Sequence, residues 1–239
     1  MTTSERSRSI RALLTLVTAS ILVFAIAACG DSGDETTAPT GADTTASGED
    51  TTATTEEEGC RQVQAPKPKD VSFKAPKQVL KKGEEATVVV KTNCGTFEIA
   101  LDTERAPKTA NSFAFLAEVG FYDDLTFHRV VPGFVIQGGD PEGTGIGGPG
   151  YTVDEAPPAN LSYTKGVVAM AKSEVDPPGR SGSQFYVVTA PDAGLPPEYA
   201  LVGRVSDGFE TITRIEELGG TTEKPSQTVL IEEATVEQG

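Results

Sequence analysis

Tryptophan is absent from the 239 residues, histidine occurs once and cysteine three times. A single histidine, His128, severely restricts metal-site and catalytic-triad chemistry. The cysteines, at 29, 60 and 94, are too few for a disulfide scaffold and lack zinc-site spacing. Basic residues are scarce as well: 20 Lys and Arg stand against 35 Asp and Glu. The resulting formal charge of −15 argues against a nucleic-acid partner. Aromatic residues are few, so a core must lean on Val, Ile, Leu and Phe.

What is present begins with a targeting segment over residues 1–29. Arg6, Arg8 and Arg11 precede an almost unbroken apolar run from Ala12 to Ala28. The run ends in Ile26-Ala27-Ala28-Cys29, which resembles a bacterial lipobox. In signals of that kind cleavage falls before the cysteine, which then carries the lipid, so Cys29 is the expected lipidation site. An ordinary signal peptide, or an uncleaved helix slightly short for a membrane span, is the other reading of this run.

From Gly30 to Gly59 the composition changes to Thr, Ala, Gly, Asp and Glu, with no Val, Ile, Leu, Phe, Lys or Arg. Such a segment cannot bury enough apolar area to offset its ordering entropy. Residues 30–62 are therefore expected to be a disordered tether, about 30 Å in r.m.s. span by flexible-chain scaling. The folded domain is expected over 63–239, with a Pro- and Lys-rich lead-in before clear periodicity starts.

That periodicity begins with Ala86 to Thr92, an Asn93-Cys94-Gly95 turn and Thr96 to Leu101, two strands joined tightly. Pro107 suits a first helical turn, Ala110, Phe113 and Ala117 share one face, and Gly120 stops the helix. Further strands are expected at 166–171, 183–190, 199–205 and 228–236, with a second helix over 209–218. Gly143, Gly145 and Gly148 satisfy G-x-G-x-x-G, but no clean strand leads into them and Pro149-Gly150 follows where a helix should continue. That loop is read as a close backbone approach, not a nucleotide site. Many short strands, two helices and no repeat point to a mainly β fold, a closed antiparallel barrel capped by helices.

The stretch with the most chemistry runs from Tyr122 to Asp140. Val130 to Ile136 is apolar except at Pro132-Gly133, a turn dipeptide, so a strand, turn and strand would gather Arg129, Phe134 and Gln137 into one patch. The series Phe127-His128-Arg129-Val130-Val131-Pro132-Gly133-Phe134-Val135-Ile136-Gln137-Gly138-Gly139-Asp140 closely resembles the signature of the cyclophilin-type peptidyl-prolyl isomerases. Gly166 to Ala171, Gly182 to Tyr186 and Tyr199 to Val205 look like later blocks of that family, in family order. The resemblance covers roughly Thr87 to Val236.

It implies an eight-stranded closed barrel with a groove on its outer wall, where a proline side chain enters an apolar pocket without any cofactor. By motif, Arg129 matches the catalytic arginine, Gln137 the glutamine that orients it, and Phe134 a catalytic pocket residue. Val135, Tyr186, Leu195 and Tyr199 fall on other pocket positions. Ala171, Lys172 and Gln184 fall where residues before the proline bind. His128 is grouped with the substrate-binding set by its place in the signature, although in this family that histidine is structural. Val135, Tyr186 and Tyr199 depart from the more common methionine, phenylalanine and histidine. Gly194 falls at the place of a pocket-rim tryptophan that contacts cyclosporin, which implies weak inhibitor binding and a gain on Gly194→Trp.

The resemblance therefore implies a prolyl isomerase. The lipobox adds a monomer anchored at the extracytoplasmic side of a bacterial cell membrane, acting on proline-containing exported polypeptides. A cyclophilin-like binding or chaperone module that holds such segments with little turnover is the alternative from another class. A Ser–His hydrolase using Ser181 or Ser183 lacks the G-x-S-x-G elbow. Export would place Cys60 and Cys94 in an oxidising setting as the pair left once Cys29 is lipidated, so they are expected to be bridged, two separate thiols being the alternative.

Overall fold

A computed structural model describes residues 59–239; the targeting segment, Cys29 and most of the expected tether lie outside them. The two longest early strands are β1 (Ala86–Thr92) and β2 (Gly95–Leu101), paired antiparallel with Thr92 opposite Gly95. Both alternate buried and accessible residues, the period-2 signature of a half-buried strand. Helix α1 (Pro107–Glu118) follows with proline in its first turn. It has no side-chain cap of its own; instead the Glu155 carboxylate accepts from the Lys108 and Thr109 amides at 3.1 and 2.7 Å. A distant acid thus satisfies donors that the helix start leaves unpaired.

Next come β3 (Leu125–Thr126), β4 (Arg129–Val131), β5 (Val135–Gly138), β6 (Val153–Asp154), β7 (Val167–Met170), β8 (Arg180–Ser181) and β9 (Phe185–Val188). The chain ends with β10 (Leu201–Asp207), α2 (Phe209–Glu217) and β11 (Leu230–Gln238). Among the described residues nine strands form one antiparallel sheet in the order β3-β11-β1-β2-β10-β7-β9-β5-β4, and β6 pairs with β8 separately.

The expected closed eight-stranded barrel is therefore corrected to a curled nine-stranded sheet that does not close. Its two edges, β3 and β4, are neighbours in sequence, joined through Phe127–His128. The chain crosses from one edge to the other within two residues, and β3 pairs only with β11 and β4 only with β5. The edge of β4 is covered instead by the α2–β11 loop, where the Val130 amide donates to the Glu223 carbonyl at 2.7 Å.

Inside the curl, Val88, Phe97, Ile99, Phe113, Leu116, Ile136, Val168, Phe185, Val187 and Ile231 form the main core. The rings of Phe113, Tyr122, Phe127 and Phe185 pack there edge-on or tilted, with centroids 5.0–5.7 Å apart. The alternate residues of the same strands face outward into a second cluster: Val135 on β5, Val167 and Ala169 on β7, Tyr186 and Val188 on β9. These strands are buried on both faces, which explains runs such as Val167-Val168-Ala169-Met170 that lack alternation.

The lead-in is a strap without regular structure. The Lys69 and Phe73 amides donate to the carbonyls of Pro141 and Pro149, both at 2.8 Å, and the Phe73 ring packs edge-on against Phe115. Asn111 ties it down further: its carbonyl oxygen accepts from the amides of Val79 and Leu80 at 2.7 and 3.0 Å. A disulfide joins Cys60 to Cys94 in the β1–β2 turn, and the Arg61 amide donates to the Asn93 carbonyl at 2.7 Å. The ordered body thus includes Cys60, ahead of the boundary expected at residue 63.

The bridge spans a sequence separation of 34. In the chain-entropy account, closing a loop of that length stabilises the fold by roughly 4 kcal/mol. Replacing both cysteines by serine should lower the urea-unfolding free energy by up to that amount. Free-thiol labelling of the unreduced natural chain, with Cys29 removed, should find no reactive cysteine.

Candidate active site

Strand register assembles the site. Arg129 on β4 lies opposite Gln137 on β5, Gln137 opposite Tyr186 on β9, and Tyr186 opposite Ala169 on β7. Directly opposed side chains on one face stand only about 5 Å apart. The Pro132–Gly133 turn between β4 and β5 closes with the Phe134 amide donating to the Val131 carbonyl at 3.0 Å, Gly133 taking φ 71°. The hairpin expected from the sequence is present, and it sets the ring of Phe134 5.9 Å from the Arg129 guanidinium carbon.

A polar chain runs along this row. Arg129 Nη1 donates to Gln137 Oε1 at 3.4 Å, Gln137 Nε2 to Gln184 Oε1 at 3.1 Å, and Gln184 Nε2 to the Gly147 carbonyl at 3.0 Å. Arg129 Nε donates to Glu223 Oε2 at 2.7 Å. The remaining nitrogen, Nη2, makes no hydrogen bond among the described residues and is free to serve a ligand.

Beside it lies the apolar wall. Phe134, Ala171, Leu195 and Tyr199 pack, partly buried, on the outer cluster that contains Val135 and Tyr186. Tyr163, Tyr186 and Tyr199 meet ring to ring, with centroids 5.7–6.4 Å apart. Burial raises the Tyr163 phenol to about 12 and pushes that of Tyr186 far above its ordinary value. Both stay neutral, and the Tyr186 hydroxyl has no hydrogen-bond partner among the described residues. The family resemblance places Tyr186 and Tyr199 in one pocket, but nothing in the sequence signals that Tyr163, on a separate segment, joins them.

Gln137, Ala171, Lys172 and Gln184 line a cleft of about 750 Å³ that continues between the 145–152 and 172–184 segments. Lys172 is half-buried, its side chain largely covered: the ammonium stands 5.6 Å from the Tyr199 ring centre and 3.4 Å from a Glu198 carboxylate oxygen. The glycine loop beyond it is organised by Asp140, whose carboxylate accepts from the amides of Glu142 and Gly145. Its turns hold the cleft's rim, with no helix following the glycines. Among the described residues no group of three or more His, Cys, Asp or Glu is placed to hold a metal ion.

Ten of the eleven expected site residues thus share one face. His128 stands apart, between the two sheet edges, with Nδ1 buried and without a hydrogen-bond partner among the described residues. Burial lowers its pKa from the ordinary 6.5, the Arg129 charge acts the same way, and Asp140 opposes both. Gly194 is exposed, at φ 64°, with its amide donating to Asp192 Oδ1 at 2.8 Å. There is room for a side chain but not a conformation that favours one, so the gain expected from Gly194→Trp meets a backbone obstacle.

Two outcomes follow from these geometries. The unfolded chain protonates His128 near pH 6.5 while the folded chain resists, so stability is fully present above 6.5 and falls as pH drops below it. His128 is the only histidine, so urea unfolding at pH 7.5 and 5.5 should show a loss that His128→Gln diminishes. Gly194→Trp should destabilise by about 1–2 kcal/mol, the cost of a side chain in the left-handed region, on the same assay.

A family model described as "Cyclophilin type peptidyl-prolyl cis-trans isomerase/CLD" matches residues 87–236. The chain is 38% identical over 154 residues to "Peptidyl-prolyl cis-trans isomerase-like 1" of Gibberella zeae, covering 62% of this chain and 93% of that protein. It is 42% identical over 132 residues to the protein of the same name from Neurospora crassa, covering 54% and 79%. A crystal structure of a Cryptosporidium parvum cyclophilin type peptidyl-prolyl cis-trans isomerase aligns with a TM-score of 0.60 and 33% identity, covering 65% of this chain and 99% of that one. That protein's structure in the presence of the dipeptide Ala-Pro aligns with a TM-score of 0.59. The matched span runs from β1 into β11 and contains the whole row from Arg129 to Ala169; the chain belongs to the cyclophilin-type peptidyl-prolyl isomerases.

Proposed function

We propose that Arg129 is the catalytic donor of this isomerase, with Gln137 orienting it and Phe134 gripping the proline ring. The observation that carries this reading is the adjacency of a half-free guanidinium and an apolar wall along one row of strand partners. The barrier to amide rotation, about 18–20 kcal/mol, comes from delocalisation of the nitrogen lone pair into the carbonyl. For Xaa-Pro bonds both isomers are accessible, but they exchange in tens to hundreds of seconds. In the twisted state the prolyl nitrogen becomes pyramidal and can accept a hydrogen bond, so a fixed donor there favours the transition state over either ground state. Guanidinium suits this role, being forked and charged throughout the neutral range.

Val135, Tyr186, Leu195 and Tyr199 complete the ring pocket in this reading, while Ala171, Lys172 and Gln184 meet the residues before the proline. The Ala-Pro dipeptide named with the Cryptosporidium protein supports a proline-containing peptide as the ligand class. No covalent bond is made or broken, so the reaction calls for no cofactor.

The setting we propose is a monomer, lipidated at Cys29, tethered by residues 30–59 on the extracytoplasmic side of a bacterial membrane and serving exported proteins. The lipobox-like sequence and the acidic, apolar-poor segment behind it support this setting. Full-length chain expressed in a bacterium should partition with membranes, and Cys29→Ala should abolish both lipid labelling and processing at that site.

In a protease-coupled assay on an Xaa-Pro peptide, Arg129→Ala should lose about 10²–10³ in rate, the equivalent of one transition-state donor. Its urea-unfolding midpoint should stay close to that of the natural protein. The rate should be nearly flat across neutral pH; a limb near the histidine pKa would assign the chemistry to His128 instead.

A further inference from the structure

The end of α2 and the loop that follows it hold the arginine hairpin at two points. At the turn, the Gly133 amide donates to Glu216 Oε1 at 2.7 Å. On the strand, Glu223 takes the Val130 amide with its carbonyl and Arg129 Nε with its carboxylate, both at 2.7 Å. The loop lies flush on β4: a Cβ at Gly219 would stand 2.8 Å from Val130 Cγ1 and 2.7 Å from Pro132 Cδ.

Glu223 is also one of only two non-glycine residues with positive φ among the described residues, at 59°. Glycine would occupy that conformation at no steric cost. An exposed ion pair contributes little to stability, so stability is a weak reason for a glutamate there. Its geometry suggests another use. Nε is held by Glu223 and Nη1 by Gln137, so the guanidinium is tied at two nitrogens beside Phe134, and Nη2 makes no hydrogen bond among the described residues.

We propose that Glu223 is a positioning residue for isomerisation, orienting Arg129 from the side away from the substrate. The inference rests on Arg129 being the catalytic donor. Misplacing a catalytic group by even 1 Å is costly to rate, and a long side chain held at one edge loses most of its freedom to misalign. The hydrogen bond from Arg129, and after it the guanidinium charge, in turn lowers the pKa of the Glu223 carboxyl from its ordinary value.

Glu223→Gly is the decisive variant, since it relieves the backbone while removing the carboxylate. It should fold at least as stably as the natural chain, with kcat reduced roughly five- to twentyfold, within the range of coupled neighbours, and KM changed by less than about twofold. Glu223→Gln, which keeps an acceptor oxygen, should fall between the two. The Arg129 Nε–H resonance should be protected in the natural protein and exchange rapidly in the glycine variant. In an Arg129→Ala background Glu223→Gly should have no further effect on rate. An unchanged or faster kcat in Glu223→Gly, or a change in KM alone, overturns the proposal while leaving the role of Arg129 intact. If Arg129→Ala itself retains full activity, the reading of the donor fails first and the proposal falls with it.

Discussion

Everything at the site depends on one hydrogen-bond register, the ladder that joins β4, β5, β9 and β7. Because side chains alternate across a strand, a slip of one residue in any of these pairings would send its site residue into the core. Arg129, Gln137 and Tyr186 come from two stretches nearly fifty residues apart, yet they stand in one line because two ladders agree, and a third brings Ala169 into it. The register is fixed from within. Ile136, Val187 and Val168, neighbours of the site residues along the chain, are fully buried in the main core. Packing on the inner face therefore dictates chemistry on the outer one.

The outer face is unusual for a sheet in being partly dry. Its cluster of small apolar residues and three tyrosines gives a wall with apolar flanks and few hydrogen-bonding tips. Such a surface suits a ring that offers no donor of its own, and it lowers the local dielectric around the nearby guanidinium. The polar chain through Gln137 and Gln184 to the Gly147 carbonyl then marks where apolar contact gives way to backbone recognition.

Much of this was legible in the sequence, for physical reasons that differ between parts. Pro132-Gly133 flanked by apolar residues specified the hairpin, and local turn chemistry was enough. The first helix was readable from Pro107 and Gly120, and the second, expected over 209–218, has Ile212 and Ile215 buried on one face. The two-residue strands β3, β6 and β8 were not, because their pairing partners are remote and no periodicity fits in two residues. The open edge was likewise hidden, since closure depends on how strand ends meet. Glu155 capping α1 and Glu223 gripping Arg129 are long-range pairings that no spacing rule announces. Gly194 was placed by its position in the motif, but its left-handed backbone was invisible until the turn was built.

The strap has a mechanical consequence. Its contacts at Lys69 and Phe73 clasp the very loop, 141–149, that forms one rim of the cleft. Were the chain ahead of residue 60 put under tension, a strap held only by those hydrogen bonds would peel, and the rim would be dragged with it. The Cys60–Cys94 bond diverts that load into the turn between β1 and β2, two central strands of the sheet. Force entering from the amino-terminal side is borne by a covalent bond and spread over the sheet in shear, while the cleft stays slack.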